Sequence, residues 1–317
     1  MQADSFHATA SPIATASETS ASNTPSFPTR FLALGRMDAP GRHADMIADL
    51  PTDPAELVRL TQNALIHQHV AKWVYDVDLS PERARETWLR TVEEKLGWLG
   101  EHGYRHIGDP HPMAAHMVGI CRDFSVLGAA LFKLAGIPAR ARCGFGTYFE
   151  PGKHIDHWVI EWWNAARGAW QLTDAQMDPP TAAKLQLDFD PMDVPRNRFL
   201  TGPVAWQLAR SGGADAQSFG IFQWWGYDYL CCNLMLDVNA LLNTPMQPWD
   251  GWDGYKDLPS GQWTEADWAV VDRLVALADR VDDDFDAFRA FVAEDDRIRV
   301  PEDWGLIRNY NDCPPSV

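Results

Sequence analysis

The run from Cys121 to Asp174 constrains this chain more than any other part of it. Phe124, Leu127, Leu131 and Leu134 recur at helical spacing, and Gly136 and Pro138 then follow in the order that ends a helix. "ARARCGFGTYF" alternates apolar and polar residues and reads as a strand. "DHWVIEWW" and "AWQLTDA" are two more strands, and the short "NAARG" between them has the length and composition of a hairpin turn. The pattern predicts an α+β fold, with a helical frame around a small antiparallel sheet.

The hairpin can be placed in register. With Asn164 to Arg167 as the turn, Trp163 pairs with Gly168, and His157 falls opposite Asp174. Opposite residues of an antiparallel pair share a face, with Cβ atoms about 4.5–5.5 Å apart. The carboxylate would then take an imidazole N–H of His157, fixing its tautomer and leaving the other ring nitrogen for a neighbour. A slip of one residue would send Asp174 to the wrong face. Cys121 stands at the mouth of the apolar helix, where unpaired N–H groups and the helix dipole favour a thiolate. A Cys at a helix start, with a His oriented by an Asp, is the arrangement of thiol acyl chemistry, and the same N–H groups can hold an oxyanion. Taken alone, Cys121 reads as a buried thiol.

Around this core the chain reads mainly as helix. "PTDPAELVRLTQNALIHQHVAKWVYDV" carries Leu57, Leu60, Ala64 and Val70 near helical spacing, with Asp53 as cap, Pro54 in the first turn and Glu56 three on from the cap. A second helix is expected after Ser80 and Pro81, with Trp88, Val92, Leu96 and Leu99 as its stripe. "DPHPMAAHMVG" is irregular. "FGIFQWWGYDYLCCNLMLDVNALLN" is helix-like, and two acidic amphipathic helices follow Thr264. Residues 1–50, rich in Ala, Ser and Thr at their start, are expected to be mostly disordered. Residues 51–317 are expected to form one domain, with its core at about 100–180 and a helical C-terminal extension.

Composition narrows the function. A formal charge of −17 repels phosphate backbones, which argues against nucleic acid as a partner. The longest apolar runs are too short to span a bilayer, and no secretory signal pattern opens the chain. Five cysteines are few and odd in number and do not make a disulfide framework, so a cytoplasmic setting is expected. The vicinal Cys231 and Cys232 read as core packing. His154, Asp156 and His157 in "HIDH", and His111 and His116 in "HPMAAH", are of types that suit zinc, but residues alternating along a strand diverge. No metal and no cofactor are therefore expected. Asp156 is expected to be solvated, Glu161 to be a satisfied core carboxylate on the His157 face, and Asp123 to complement the helix dipole. Trp158, Trp162 and Trp163 read as core, and the "GFG" at Gly144 to Gly146 as a place where backbones approach closely.

"GICRDFSVLGAALFKLAGIPARARCGFGTYF", followed by "DHWVIEWWNAARGAWQLTDAQMD", resembles the transglutaminase-like superfamily, whose members share a papain-like core. The segments "FDPMDVPRNRFLTGPVAW" and "LLNTPMQPWDGW" are similar to bacterial transglutaminase-like proteins, so the resemblance runs from about Val118 to Trp252. It implies that Cys121 in "CRDFS" is a nucleophile, that His157 in "DHWV" is its general base and acid, and that Asp174 in "QLTDAQ" orients the His. The implied reaction passes through a thioester and hydrolyses or transfers an acyl group from an amide in a peptide, protein or small molecule. The alternatives are a non-catalytic peptide- or protein-binding module on the same fold, and a metal-dependent hydrolase.

Overall fold

The computed structural model describes residues 28–304 together with 308 and 309. The expected disorder of residues 1–27 lies outside the described residues. Residues 28–50 correct the expectation made for them. They form two 3₁₀ turns, Thr29–Leu32 and Gly41–Ile47, and bury Phe31, Met37, Met46 and Ile47. Their apolar residues follow neither a helical nor a strand period, so no pattern announces them. Met37, Met46 and Ile47 join the main apolar cluster. Phe31 meets Trp170 edge-on with ring centroids 5.3 Å apart, and Lys133 Nζ reaches the buried Asp38 carboxylate at 2.6 Å.

The first expected helix is divided. Asp53 caps α1 (Pro54–Ala64) by accepting the N–H groups of Ala55 and Glu56. The chain then straightens into β1 (Leu65–His67), which pairs in parallel with β2 (Met117–Gly119), before turning through α2 (Ala71–Tyr75). A distant strand partner overrides the local helical spacing here. The second expected helix is divided as well, into α3 (Pro81–Ala84) and α4 (Val92–Glu101). Thr91 and Glu94 form a capping box that starts a new helix inside the expected one, and Trp88 is left more than a third exposed.

α5 (Cys121–Leu134) begins at the expected residue. Phe124, Leu127 and Leu131 are buried, but Leu134, in its last turn, is exposed. Strands β3 (Ala139–Gly146), β4 (His154–Asn164) and β5 (Ala169–Thr173) follow as expected. The later segments supply α6 (Pro179–Leu185), β6 (Phe199–Thr201), α7 (Gly202–Arg210), a short hairpin of β7 (Phe219–Ile221) and β8 (Trp224–Trp225), and α8 (Tyr227–Leu241). The strand β9 (Asp250–Gly251), the helices α9 (Glu265–Ala278) and α10 (Phe285–Glu294), and β10 (Arg308–Asn309), which pairs with β9, complete the described chain. The long helix expected from Phe219 starts only at Tyr227, because Gly226 at φ +88° breaks the run and the residues before it pair as strands.

The main sheet has the order β6-β3-β4-β7-β8, with β5 also on β4. It is antiparallel except where β4 and β7 pair in parallel at His154 and Ile155. α5 packs on one face, its Phe124, Leu127 and Leu131 in one apolar cluster with Cys143, Trp158, Ile160 and Trp162. Gly128 lets the helix approach, since a Cβ there would run into Ile160 Cδ1. The other face buries Tyr148, Val159, Leu172, Met177, Val194 and Phe199. β5 and β7 use the same edge of β4 and leave residues 156–159 unpaired along it. Among the described residues no helix is long and apolar enough to cross a membrane.

Candidate active site

The hairpin turn lies one residue later than expected. Asn164 pairs with Ala169 and Trp163 with Trp170, so the register is displaced by two residues from the expected one. A shift of two preserves the face, because side chains alternate with a period of two. Asp174 is therefore diagonal to His157 rather than opposite it. It stands just past the end of β5, beside the unpaired stretch of β4. His157 Nε2 donates to Asp174 Oδ2 at 2.8 Å, and both side chains are buried. Nδ1 of His157 carries no hydrogen bond among the described residues.

Asp174 is held from several sides. Tyr148 Oη donates to Oδ2 at 2.6 Å, the Gln176 N–H donates to Oδ1 at 3.1 Å, and the Asp174 backbone N–H binds Pro191 O at 2.8 Å. The His157 ring lies among Phe149, Tyr148 and Phe199, with ring centroids 4.8, 5.9 and 6.4 Å away. Gly144 pairs directly with His157, and a Cβ there would collide with the carbonyl of Leu200. That is the close backbone approach expected of the "GFG" stretch.

Cys121 occupies the first turn of α5 and is almost fully buried. No hydrogen bond joins it to His157 among the described residues. Burial pushes its thiol well above the ordinary range, and the carboxylates of Asp156, Asp123 and Asp174 push the same way. The N–H of Arg122 at the helix start pulls it down and is outweighed. This corrects the expectation that the helix terminus and a neighbouring imidazolium would lower the thiol. The terminus acts in the expected direction, but desolvation is the larger effect. The carboxylates of Asp156 and Asp174 thus lie within electrostatic reach of the Cys121 thiol.

The helix start is clamped by buried charge. Asp123 Oδ2 accepts the Ile120 N–H at 2.9 Å, and Oδ1 meets Lys95 Nζ at 3.0 Å and Arg122 Nη1 at 3.1 Å. Asp123 thus complements the terminus, as expected, and its buried partners account for its own burial.

Asp156 departs from expectation. It is buried on the α5 face of β4, where Asn233 Nδ2 donates to its Oδ1 at 2.7 Å. Burial raises its carboxyl to about 6, against the opposing influence of His157, Asn233, Tyr229 and Cys143. The sequence could not show that α8 would cover this face. Glu161 is the satisfied core carboxylate expected, within 2.7 Å of Arg140, Arg142 and Arg196. The two histidine motifs do not converge. His154 binds Ser218 and stacks on Phe219, while His111 stacks on Tyr104 and gives its carbonyl to His116. Among the described residues no three metal-ligating side chains group together. Cys231 and Cys232 are buried and unbridged in α8. Trp158 and Trp162 are buried in the core beneath α5. Tyr148 and Asn233 had no distinguishing signal in the sequence, since neither spacing nor motif sets them apart.

The site thus joins a cysteine at the start of the central helix of an α+β core to a buried His–Asp pair on the neighbouring sheet. Residues 71–175 match the family model of the transglutaminase-like superfamily, so the chain carries a domain of that superfamily. The match begins earlier than the resemblance seen from Val118, and it contains Cys121, His157 and Asp174. No curated protein matches the chain. Among solved structures, the chain is similar to "a Putative Cysteine Protease from Cytophaga hutchinsonii" over 54% of its own length, at 20% identity and a TM-score of 0.30. It spans 44% of that protein's length.

Proposed function

We propose that the protein is a cysteine-dependent acyltransferase or hydrolase acting on an amide, with Cys121 as nucleophile, His157 as general base and acid, and Asp174 as the residue that orients His157. The observation that carries this reading is the buried hydrogen bond from His157 Nε2 to Asp174 Oδ2, at 2.8 Å. With Nε2 committed to the carboxylate, Nδ1 is the nitrogen available to the thiol. Cys121 Sγ attacks the acyl carbonyl and its proton passes to His157. His157 then protonates the departing amine, leaving a thioester on Cys121. Water or a second amine, deprotonated by His157, releases the acyl group and restores the thiol. Because burial keeps the resting thiol protonated, thiolate forms only as the proton moves to His157. Peptides, proteins and small amides are the substrate class, and the chemistry requires no cofactor. The chain's net negative charge favours neutral or cationic substrates.

The test is alkylation with iodoacetamide near neutral pH, read by peptide mass spectrometry. Preferential modification of Cys121 over Cys143, slowed in His157→Ala, is expected. Uniform slow labelling of the cysteines, unaffected by that substitution, would overturn the reading. The buried, protonated thiol favours a second reading, a non-catalytic peptide- or protein-binding module on the same fold. An inert Cys121 in that experiment is its expected result.

A further inference from the structure

The proposed reaction creates an oxyanion on the acyl carbonyl, and the backbone N–H of Cys121, at the first helical position, has no intrahelical partner and can serve as one donor. A candidate for the second donor lies on β1. His67 pairs with Gly119, and the Gln68 N–H binds Gly119 O at 3.0 Å, which places His67 beside the chain two residues ahead of Cys121. Its ring centroid is 6.4 Å from that of Phe124, one turn along the same helix. The ring also lines a small cavity between β1 and the segment that follows Asp174, together with Phe124 and Gln176.

Two features fix what His67 can offer. The backbone N–H of His69 donates to His67 Nδ1 at 3.2 Å, so Nδ1 is an acceptor and the ring proton sits on Nε2. Burial, followed by the neighbouring His69 and His157, holds His67 well below the ordinary histidine range, so the ring is neutral at neutral pH. Nε2–H makes no hydrogen bond among the described residues. A neutral imidazole N–H is a good oxyanion donor, because it polarises the carbonyl without surrendering its proton.

We propose that His67 Nε2–H is the side-chain donor that, with the Cys121 backbone N–H, binds the oxyanion formed during acylation of Cys121. This rests on the reading of Cys121 as nucleophile. In the step concerned, Sγ bonds to the carbonyl carbon, the carbonyl π pair moves onto oxygen, and the thiol proton goes to His157. Collapse of the oxyanion then expels the leaving group. His67 gains and loses no proton throughout.

The experiment compares two reactions of the full-length protein. Alkylation by iodoacetamide displaces iodide and forms no oxyanion. Acylation by p-nitrophenyl acetate does form one. In His67→Ala, acylation of Cys121 is expected to fall by about 10²–10³-fold, the loss typical of one oxyanion donor, while alkylation, whose transition state carries no oxyanion, falls far less. His67→Gln, which keeps an N–H donor, is expected to recover most of the acylation rate. Unchanged acylation in His67→Ala overturns the proposal. So does a parallel loss of both reactions in both variants, which would mark a structural role. A parent protein whose Cys121 undergoes neither reaction defeats the nucleophile reading instead, and this inference with it.

Discussion

Tyr148 donates its hydroxyl to Asp174 Oδ2 at 2.6 Å, the same oxygen that holds His157 Nε2–H at 2.8 Å. One buried carboxylate oxygen thus fixes two rings, and the order of the β3–β4 loop is coupled to the orientation of the histidine. Replacing Tyr148 by Phe keeps the packing against Phe149 and Phe189 but removes this donor. A hydrogen bond to a charged group is worth about 1.5–3 kcal/mol, so Tyr148→Phe is expected to lose stability in that range. The check is a lower urea midpoint at unchanged slope. Equal midpoints would mean that Asp174 gains nothing from the tyrosine.

Asp156 gives a prediction with a defined pH window. Its carboxyl is raised by burial from 3.8 to about 6. The folded state therefore binds more protons than the unfolded state between those values. The sign follows: stability from this group is greatest at low pH and falls as pH rises through the window. Asp156→Asn removes that loss. The variant is expected to match the parent near pH 4 and to exceed it by roughly 3 kcal/mol above pH 6, two units at about 1.4 kcal/mol each. Urea midpoints of both proteins across pH 4–7 decide the matter, and a constant difference would show that the carboxyl titrates normally. Because the Asp156 carboxylate also raises the Cys121 thiol, the same variant is expected to alkylate faster.

The helix start at Cys121, the three strands after it and the shared face of His157 and Asp174 were legible because each rests on a local period. Periodicity also explains why the register error did no harm, since a displacement of two residues leaves the face intact. What was not legible depended on distant partners. β1 is a strand only because residues 117–119 lie beside it, so His67 looked like part of a helix. Asp156 looked solvated because nothing local foretells that α8 brings Asn233 to it. The thiol of Cys121 was expected to ionise easily at the helix terminus and beside the His157 imidazolium, but burial, which no local pattern shows, is the larger effect.

Glu161 anchors the face of the sheet that carries His157. Its two oxygens meet Arg140 at 2.7 Å, Arg142 at 2.6 Å and Arg196 at 2.7 Å. Burial alone would raise this carboxyl, yet the three guanidiniums hold it well below the usual glutamate range. Removing the charge leaves buried arginines undercompensated, although Arg142 keeps Asp237 and Arg140 keeps Asp282. Breaking a buried pair from one side costs about 3–5 kcal/mol, and Glu161→Gln is expected to cost that much at neutral pH. The depressed carboxyl supplies stability that is present above the ordinary glutamate range and lost as pH falls below it. The gap between parent and variant should therefore narrow in acid. A gap of the same size at pH 3 and pH 7 would count against the ion network as its source.

The contact that seats the Cys121 helix on the sheet can be tested as a pair. Gly128 faces Ile160, and a Cβ at position 128 would overlap Ile160 Cδ1. Alanine in a helix interior is better than glycine by about 0.8–1.0 kcal/mol, while overpacking a core costs about 1–3 kcal/mol. In the parent the overlap is the larger effect, so Gly128→Ala is expected to destabilise. Ile160→Val removes the colliding methyl and costs about 0.5–1.5 kcal/mol alone. In that background Gly128→Ala should turn neutral or stabilising, because the propensity gain remains and the worst overlap is gone. The double-mutant cycle is then expected to show a favourable coupling of at least about 1 kcal/mol, within the range for residues in contact. Simple additivity of the two substitutions would mean that the helix moves to absorb the methyl, and that Gly128 does not set its distance from β4.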